Sequence, residues 1–238
     1  GIVLDAALVI VWGLRSVEII LFLLFFAPGV YFSAEYKKIR MAFWKRFADI
    51  HGWKYQFGGD YKQEQGLMFR QGHGNRISNV VTGVIDDRLF RIFSYEFTIG
   101  HGKDSTSHCY TAFAFKFIGV FPHLYLNSFK NQYGASVGEQ IPLPSEFKKQ
   151  FSLSAPRKYE VEALEIFTPD VLSYLLDLKL VHDIEFINQE MIIFTKGLIE
   201  GFGELEKEFN TALELEDLLE EKLDKIKFAP IGDLPHTL

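Results

Sequence analysis

The chain has 238 residues, 48% hydrophobic and 16% aromatic, with 24 Phe and a net charge of −6, a balance that excludes a disordered or low-complexity protein. Its charges are segregated: over residues 33–50 five cations, Lys37, Lys38, Arg40, Lys45 and Arg46, stand against two acids, while residues 200–225 hold ten acids and three lysines, so a general nucleic-acid footprint is absent. The single cysteine, Cys109, excludes an internal disulfide and fits a reducing compartment.

Residues 2–32 are apolar apart from Asp5, Arg15, Ser16 and Glu18. As one helix they would measure about 46 Å against a hydrocarbon core of roughly 30 Å. The expected membrane segment, residues 1–34, therefore has its span at about residues 15–34, anchored by Val17, Ile20, Leu24 and Phe32. Arg15 and Glu18 fall at one interface with pairing spacing, and Pro28 and Gly29 kink the helix without stopping it. Residues 2–13 read as an interfacial helix or the end of a preceding span, and the run lacks the basic start and small-residue cleavage site of a signal peptide. A buried core helix is the alternative. The basic flank favours the span, because cytoplasmic sides of membrane helices carry excess Lys and Arg, and it orients residues 35–238 into the cytoplasm.

Over residues 35–52, Tyr36, Ile39, Met41, Phe43, Phe47 and Ile50 recur at near-helical spacing up to His51-Gly52, a helix stop. This basic juxtamembrane helix would lay Lys37, Lys38, Arg40, Lys45 and Arg46 against lipid headgroups. Residues 53–200 read as a β-rich α+β domain. Strands are expected at Leu67–Arg70, Ile77–Ile85, Arg88–Ile99 and His108–Ile118, with weaker ones at Leu124–Leu126 and Phe147–Leu153. Asp86-Asp87 is a tight-turn pair and residues 100–107 close a second hairpin. Both faces of Arg88–Ile99 are largely apolar, which predicts a central strand covered on both sides. "FTPDVLSYLLDLK" predicts a helix with Thr168 as N-cap and Pro169 in its first turn. "IEFINQEMIIFTKG" reads as another hairpin turning near Asn188-Gln189. Residues 201–238 are expected to form an acidic amphipathic helix and tail, packed through Leu205, Phe209, Ala212, Leu215, Leu219, Leu223 and Ile226 on the domain, with coiled-coil pairing as the alternative. The fold class is thus α+β: an antiparallel β-sheet packed by helices and preceded by a transmembrane and juxtamembrane helix.

Two stretches echo each other, "QGHGNR" at residues 71–76 and "GHGKDS" at 100–105. Glycine permits positive φ and lets backbone N–H groups converge on an anion, and Arg76 and Lys103 could add charged contacts. The candidate anion site is therefore Gly72, His73, Gly74, Arg76, Gly100, His101, Gly102 and Lys103, with plain strand-connecting turns as the alternative. The hairpin through Asp86-Asp87 predicts that the two stretches are spatial neighbours. A P-loop is excluded, since Phe97 stands where its first glycine is required and Asp104 where Ser or Thr is. His73, His101 and His108, with Cys109, are weak zinc candidates without finger-like spacing. No cofactor is expected.

The run from Phe69 to Ala114 resembles a family of uncharacterised bacterial proteins that join an N-terminal membrane segment to a domain of unknown function. The residues that carry the resemblance are Gly72, Gly74, Arg76, Asn79, Val80, Gly83, Phe90, Phe93, Tyr95, Thr98, Gly100, Gly102, Lys103, Tyr110 and Thr111, with Gly52 and Trp53 ending the preceding helix. Where that family often has an acid between the aromatics of its central strand, this chain has Ser94. The resemblance implies a bacterial, membrane-tethered domain, and with the basic flank the expected place is the bacterial inner (cytoplasmic) membrane with the domain facing the cytoplasm. The functional expectation is a binding or scaffold module, or a subunit of a membrane complex, with the lipid bilayer and an unknown protein as partners. The alternative is a hydrolase or transferase acting on a phosphorylated small molecule through the glycine turns.

Overall fold

The computed structural model describes residues 29, 31–33, 35–131, 136–178 and 182–223. The chain falls into two units divided between Phe43 and Trp44. The expected span, with Val17, Ile20 and Leu24, lies almost wholly outside the described residues; of its anchors only Phe32 is described, and it is exposed. Among the described residues no helix is long and apolar enough to cross a membrane. Helix α1 covers residues 35–51. In the first unit Lys38 pairs with Glu35, one turn away, at 2.7 Å.

The second unit is an α+β domain built on a seven-stranded antiparallel sheet, in the order β1-β2-β3-β4-β6-β5, with β7 also pairing β4. The strands are β1 (Lys54–Gly59), β2 (His73–Ile85), β3 (Arg88–Ile99), β4 (Thr106–Ser128), β5 (Glu139–Ile141), β6 (Phe151–Ala155) and β7 (His182–Lys196). Among the described residues the unit also holds the end of α1 from Trp44 and the helices α2 (Glu160–Ile166), α3 (Pro169–Asp177) and α4 (Phe202–Leu223). The β2–β3 turn falls on Asp86-Asp87, with φ of 48° and 63°, the left-handed pair that a two-residue hairpin loop requires. Asp tolerates this conformation because its short side chain can bond locally.

Several local readings are corrected. Leu67–Arg70 is a 3-10 turn, not a strand. Met68 and Phe69 are adjacent yet both buried, which a strand edge cannot do with one covered face. The strand expected at Ile77 begins at His73, taking the first glycine stretch into the sheet. The separate strands at His108–Ile118 and Leu124–Leu126 are one 23-residue strand. The strand expected at Phe147–Leu153 starts later, at Phe151. Asn188 does not turn a hairpin. It takes φ 54° as a single left-handed residue inside continuous β7, opposite Phe121, where the β4–β7 register shifts, so the polar pair marks a bulge.

Strand β3 is buried on both faces, as its sequence predicts. One face carries Phe93, Tyr95 and Phe97, joined by Tyr110, Ala112, Ile192 and Phe194 of the neighbouring strands and covered by Met68 and Phe69. The connection from Asp60 to Gln71 is thus a strap over the sheet. Three polar contacts pin it: both Glu64 carboxylate oxygens accept from Arg91 at 2.6 and 2.8 Å, the Leu67 N–H donates to Glu185 at 2.9 Å, and Asn75 donates to Phe69 O and Gln71 O. On the opposite face Phe90 meets Phe209 of α4 at 5.0 Å between ring centroids, and Phe209 also meets Trp53 at 5.3 Å and Phe47 at 5.9 Å. Pro169 occupies the first turn of α3 as expected, whereas Thr168 at the N-cap makes no side-chain capping bond.

Because Phe209 joins α4, the end of α1 and β3 in one ring cluster, Phe209→Ala should cost about 3–5 kcal/mol. Phe57→Ala, at a site 62% exposed on β1, should stay within about 0.5 kcal/mol. Urea unfolding of the two variants checks the contrast; equal losses would show that the helix is not held through this cluster.

Candidate functional site

The two Gly-His-Gly stretches meet at one end of the sheet, where His73 pairs in register with Thr98 and the β3–β4 turn follows at once. The rings of His73 and His101 stack with centroids 4.8 Å apart and planes 1° apart. His73 Nε2 donates to the Gly100 carbonyl oxygen at 2.8 Å, since a carbonyl oxygen only accepts. The tip is exposed, and a single 3-10 turn, Gly102–Asp104, closes it. Two of its glycines are needed for different reasons. A Cβ on Gly72, at φ 57°, would lie 2.2 Å from the Thr98 carbonyl oxygen, whereas one on Gly102, at φ 60°, would meet nothing within 4 Å. Close approach of the chains demands the first; backbone conformation alone demands the second.

One of the two cations expected at the site is already engaged. Arg76 is held by Glu96, its cross-strand partner, at 2.7 Å; opposite charges directly across a rung attract at short range. Lys103, exposed on the Gly102–Asp104 turn, makes no ion pair among the described residues. His108 stacks on Phe97 at 5.2 Å and 15°, and Cys109 sits on the next rung, opposite Glu96. Among the described residues the only three side chains whose ligand atoms come close enough to share a metal ion are Glu216, Asp217 and Glu220, so His73, His101 and His108 do not form a three-ligand centre. The carboxylates of that acidic trio are already bridged by Arg88, at 2.5 Å to Glu216, 2.7 Å to Glu220 and 3.1 Å to Asp217. On the same turn the Ser105 hydroxyl donates to Gly102 O at 2.9 Å. Of the basic residues expected at the membrane surface, Lys45 pairs with Asp49 at 2.5 Å and the Arg46 guanidinium lies 5.9 Å from the Phe202 ring centre; Lys37 is exposed and Arg40 half-buried.

Sequence reasoning missed the buried carboxylates. Asp183 and Glu185, two apart on β7 and so on one face, are both fully buried. Asp183 accepts from the Tyr125 hydroxyl at 2.7 Å and the Ser128 N–H at 2.8 Å, and burial still pushes its carboxyl up to about 6. Glu185 holds the strap at Leu67 and lies 2.6 Å from His123 Nε2. Glu216, on α4, is fully buried beside Arg88. Burial, the largest influence, raises its carboxyl to about 7 against the pull of the Arg88 guanidinium, and the like charges of Glu220 and Asp217 add to the rise. The only sequence signal was acids placed inside apolar runs, "HDIEF" and "ALELEDLL".

No family model and no curated protein matches the chain. Among solved structures it is similar to the mycobacterial trehalose monomycolate transport factor A, TtfA, with a TM-score of 0.55 at 13% identity, over 80% of this chain and 97% of that one. At that identity the likeness shows a shared fold: the α+β architecture recurs across nearly the whole of that chain.

The two glycines should separate by substitution. Gly102→Ala pays only for left-handed backbone, about 1–2 kcal/mol, while Gly72→Ala adds a backbone clash and should cost clearly more. Similar losses in thermal unfolding would mean the turns are looser than the 2.2 Å approach implies. Stability should also depend on pH with a definite sign. Between the ordinary 4.5 of a Glu carboxyl and about 7 for Glu216, and between 3.8 and about 6 for Asp183, the folded chain holds protons that the unfolded chain has released. Stability therefore falls as pH rises through these windows. Glu216→Gln should flatten the part of the fall nearest neutrality, and an unchanged slope in denaturant titrations at stepped pH would remove Glu216 as its source.

Proposed function

We propose that the chain is a binding module held at the bacterial inner membrane, with its β-rich domain in the cytoplasm, where it engages a protein partner as a subunit of a larger membrane complex. The apolar run ending at Phe32 and the five-cation flank after it support the tether. The family resemblance points the same way, and a fold shared with a protein named as a transport factor is in keeping with a module that works through partners.

The observation that carries the binding reading is Ile118, which is 100% exposed. It sits where β4 bulges away from β7, between the registers Lys116↔Glu190 and Phe121↔Asn188, with half-buried Phe117 and Val120 beside it. The cross-strand pair Val84 and Leu89, 57% and 40% exposed, lies at the same end of the sheet, since Phe90 faces Phe115. A large aliphatic side chain with no protein cover costs hydration free energy that a partner's apolar surface would recover.

A photo-crosslinking residue at position 118, in the full chain in intact cells, should give a discrete protein adduct that the same residue at exposed Lys130 does not give. Loss of the adduct when Val84→Asp is added would tie it to this face. Adducts of equal yield at both sites, or none at 118, would refute the binding surface. The tether is tested separately: alkaline carbonate should leave the chain in the membrane pellet, and release into the supernatant would remove it.

A further inference from the structure

We infer that the partner engaging the Ile118 face presents a basic segment, in which apolar side chains cover Val84, Leu89 and Ile118 while flanking Lys or Arg residues meet the carboxylates at the β2–β3 turn. The inference rests on the reading of that face as a protein-docking surface and adds the chemistry of what docks there.

Three observations carry the assignment. The first is an excess of carboxylates around one cation. Arg88 lies 2.5 Å from Glu216, 2.7 Å from Glu220, 3.1 Å from Asp217 and 3.9 Å from Asp86, so four acids share a single guanidinium. Asp87, exposed beside Asp86, makes no ion pair among the described residues. The second is where this charge lies. The Arg88 side chain is 16% exposed, whereas those of Asp86, Asp217 and Glu220 are 81%, 65% and 38% exposed, so the cation sits inside and the carboxylates reach solvent. Lys222, two residues beyond Glu220 on α4, is held by Asp170 at 2.7 Å. The third is contiguity with the apolar pair. Val84 faces Leu89, the next rung is Ile85 with Arg88, and the chain then turns at Asp86-Asp87. A rung is only about 3.4 Å along the strand, so a segment that covers the pair also reaches the turn.

Like charges gathered at a surface cost free energy that a partner's cations offset, and they steer a basic partner toward the face before contact. A nucleic acid or an anionic lipid headgroup would add negative charge to the same place. Positive charge on the other side of the face is balanced where it stands: exposed Lys116 is set across the rung from Glu190, and Arg91 is held by Glu64 and Glu190. Each exposed ion pair contributes little by itself. Affinity comes from covering the apolar side chains, and the carboxylates select the sign of what covers them.

The test uses the full chain with the photo-crosslinking residue at position 118, in cells and in membranes isolated from them. Mass spectrometry of the adduct should place the captured residue in a segment of another protein where Lys and Arg outnumber Asp and Glu. Asp86→Asn with Asp87→Asn removes the charge of the turn while keeping a residue type that accepts positive φ, and Asp217→Asn removes a third exposed charge. The triple variant should give the adduct at about one tenth of the unsubstituted yield, with thermal unfolding unchanged. In isolated membranes, raising NaCl from about 0.05 to about 0.5 M should lower the yield of the unsubstituted chain by a similar factor, a readout that needs no variant to fold. A captured segment that is neutral or acidic, or a yield that neither the triple variant nor salt lowers, overturns the basic partner and leaves the Ile118 face standing. A crosslink into this chain's own sequence, within one copy or between two, overturns it as well. Absence of any adduct at 118 removes the face itself, and the inference with it.

Discussion

The structure depends on the length of β4. A strand of 23 residues would extend about 76 Å if straight, whereas a folded unit of this size is only about 40 Å across. It must bend, and the bend is where its neighbours change. Along one edge β4 pairs with β3 over residues 106–115 and with β6 over 125–128, while β7 follows the other edge from 110 to 126. The residues between the two pairings, 117–120, bulge away from β7, and Asn188 answers them with its left-handed backbone. Twist that would accumulate along an unbroken ladder is discharged at one place. The same bulge leaves Ile118 without cover, so the binding surface proposed above follows from how a long strand is accommodated.

Because the sheet bends, its two faces need different covers, and each cover is fixed by a buried charge as well as by rings. On the Tyr95 face Arg91 with Glu64 and Glu190, and Glu185 with the Leu67 N–H, fix the place of the Asp60–Gln71 strap. On the Phe90 face α4 is held by Phe209 and, two turns later, by Arg88 reaching Glu216, Asp217 and Glu220. Buried pairs of this kind add little net stability against apolar replacements, but breaking one strands a charge. Their contribution is to position. Apolar packing alone would tolerate sliding of α4 along the sheet, whereas a guanidinium aimed at three carboxylates allows one register.

What was legible in the sequence was local, or set by short loops. Asp86-Asp87 announced a hairpin because few residues accept two successive positive φ values, and once that turn is placed, antiparallel register brings His73 beside His101 without further information. The spacing of Leu205, Phe209, Ala212, Leu215 and Leu219 defined the buried stripe of α4 for the same reason: helical geometry repeats within a few residues. What failed was long-range. Asn188 resembles a turn residue because the left-handed conformation it needs in a bulge is the one it would need in a turn; only Phe121, 67 positions away, distinguishes them. Leu67–Arg70 has the composition of a strand, and its 3-10 form follows from Glu185 capping Leu67 across more than a hundred residues. Arg76 looked available until Glu96 was placed opposite it.

The tip of the β3–β4 hairpin is organised unlike the rest of the sheet. Elsewhere every buried acid has a guanidinium, imidazole or hydroxyl set against it, and Arg76, Arg88 and Arg91 each face a carboxylate. At the tip two imidazoles face each other, and a backbone carbonyl holds one of them. Parallel rings at 4.8 Å contribute dispersion and orient one another. A Cβ at Gly72 would meet the Thr98 carbonyl oxygen, so glycine lets the two turns approach closely enough for the rings to stack and for His73 to reach Gly100 O. The turn is thus held by contacts made within a few residues of the hairpin end, whereas the covers of the sheet below depend on pairs more than a hundred residues apart.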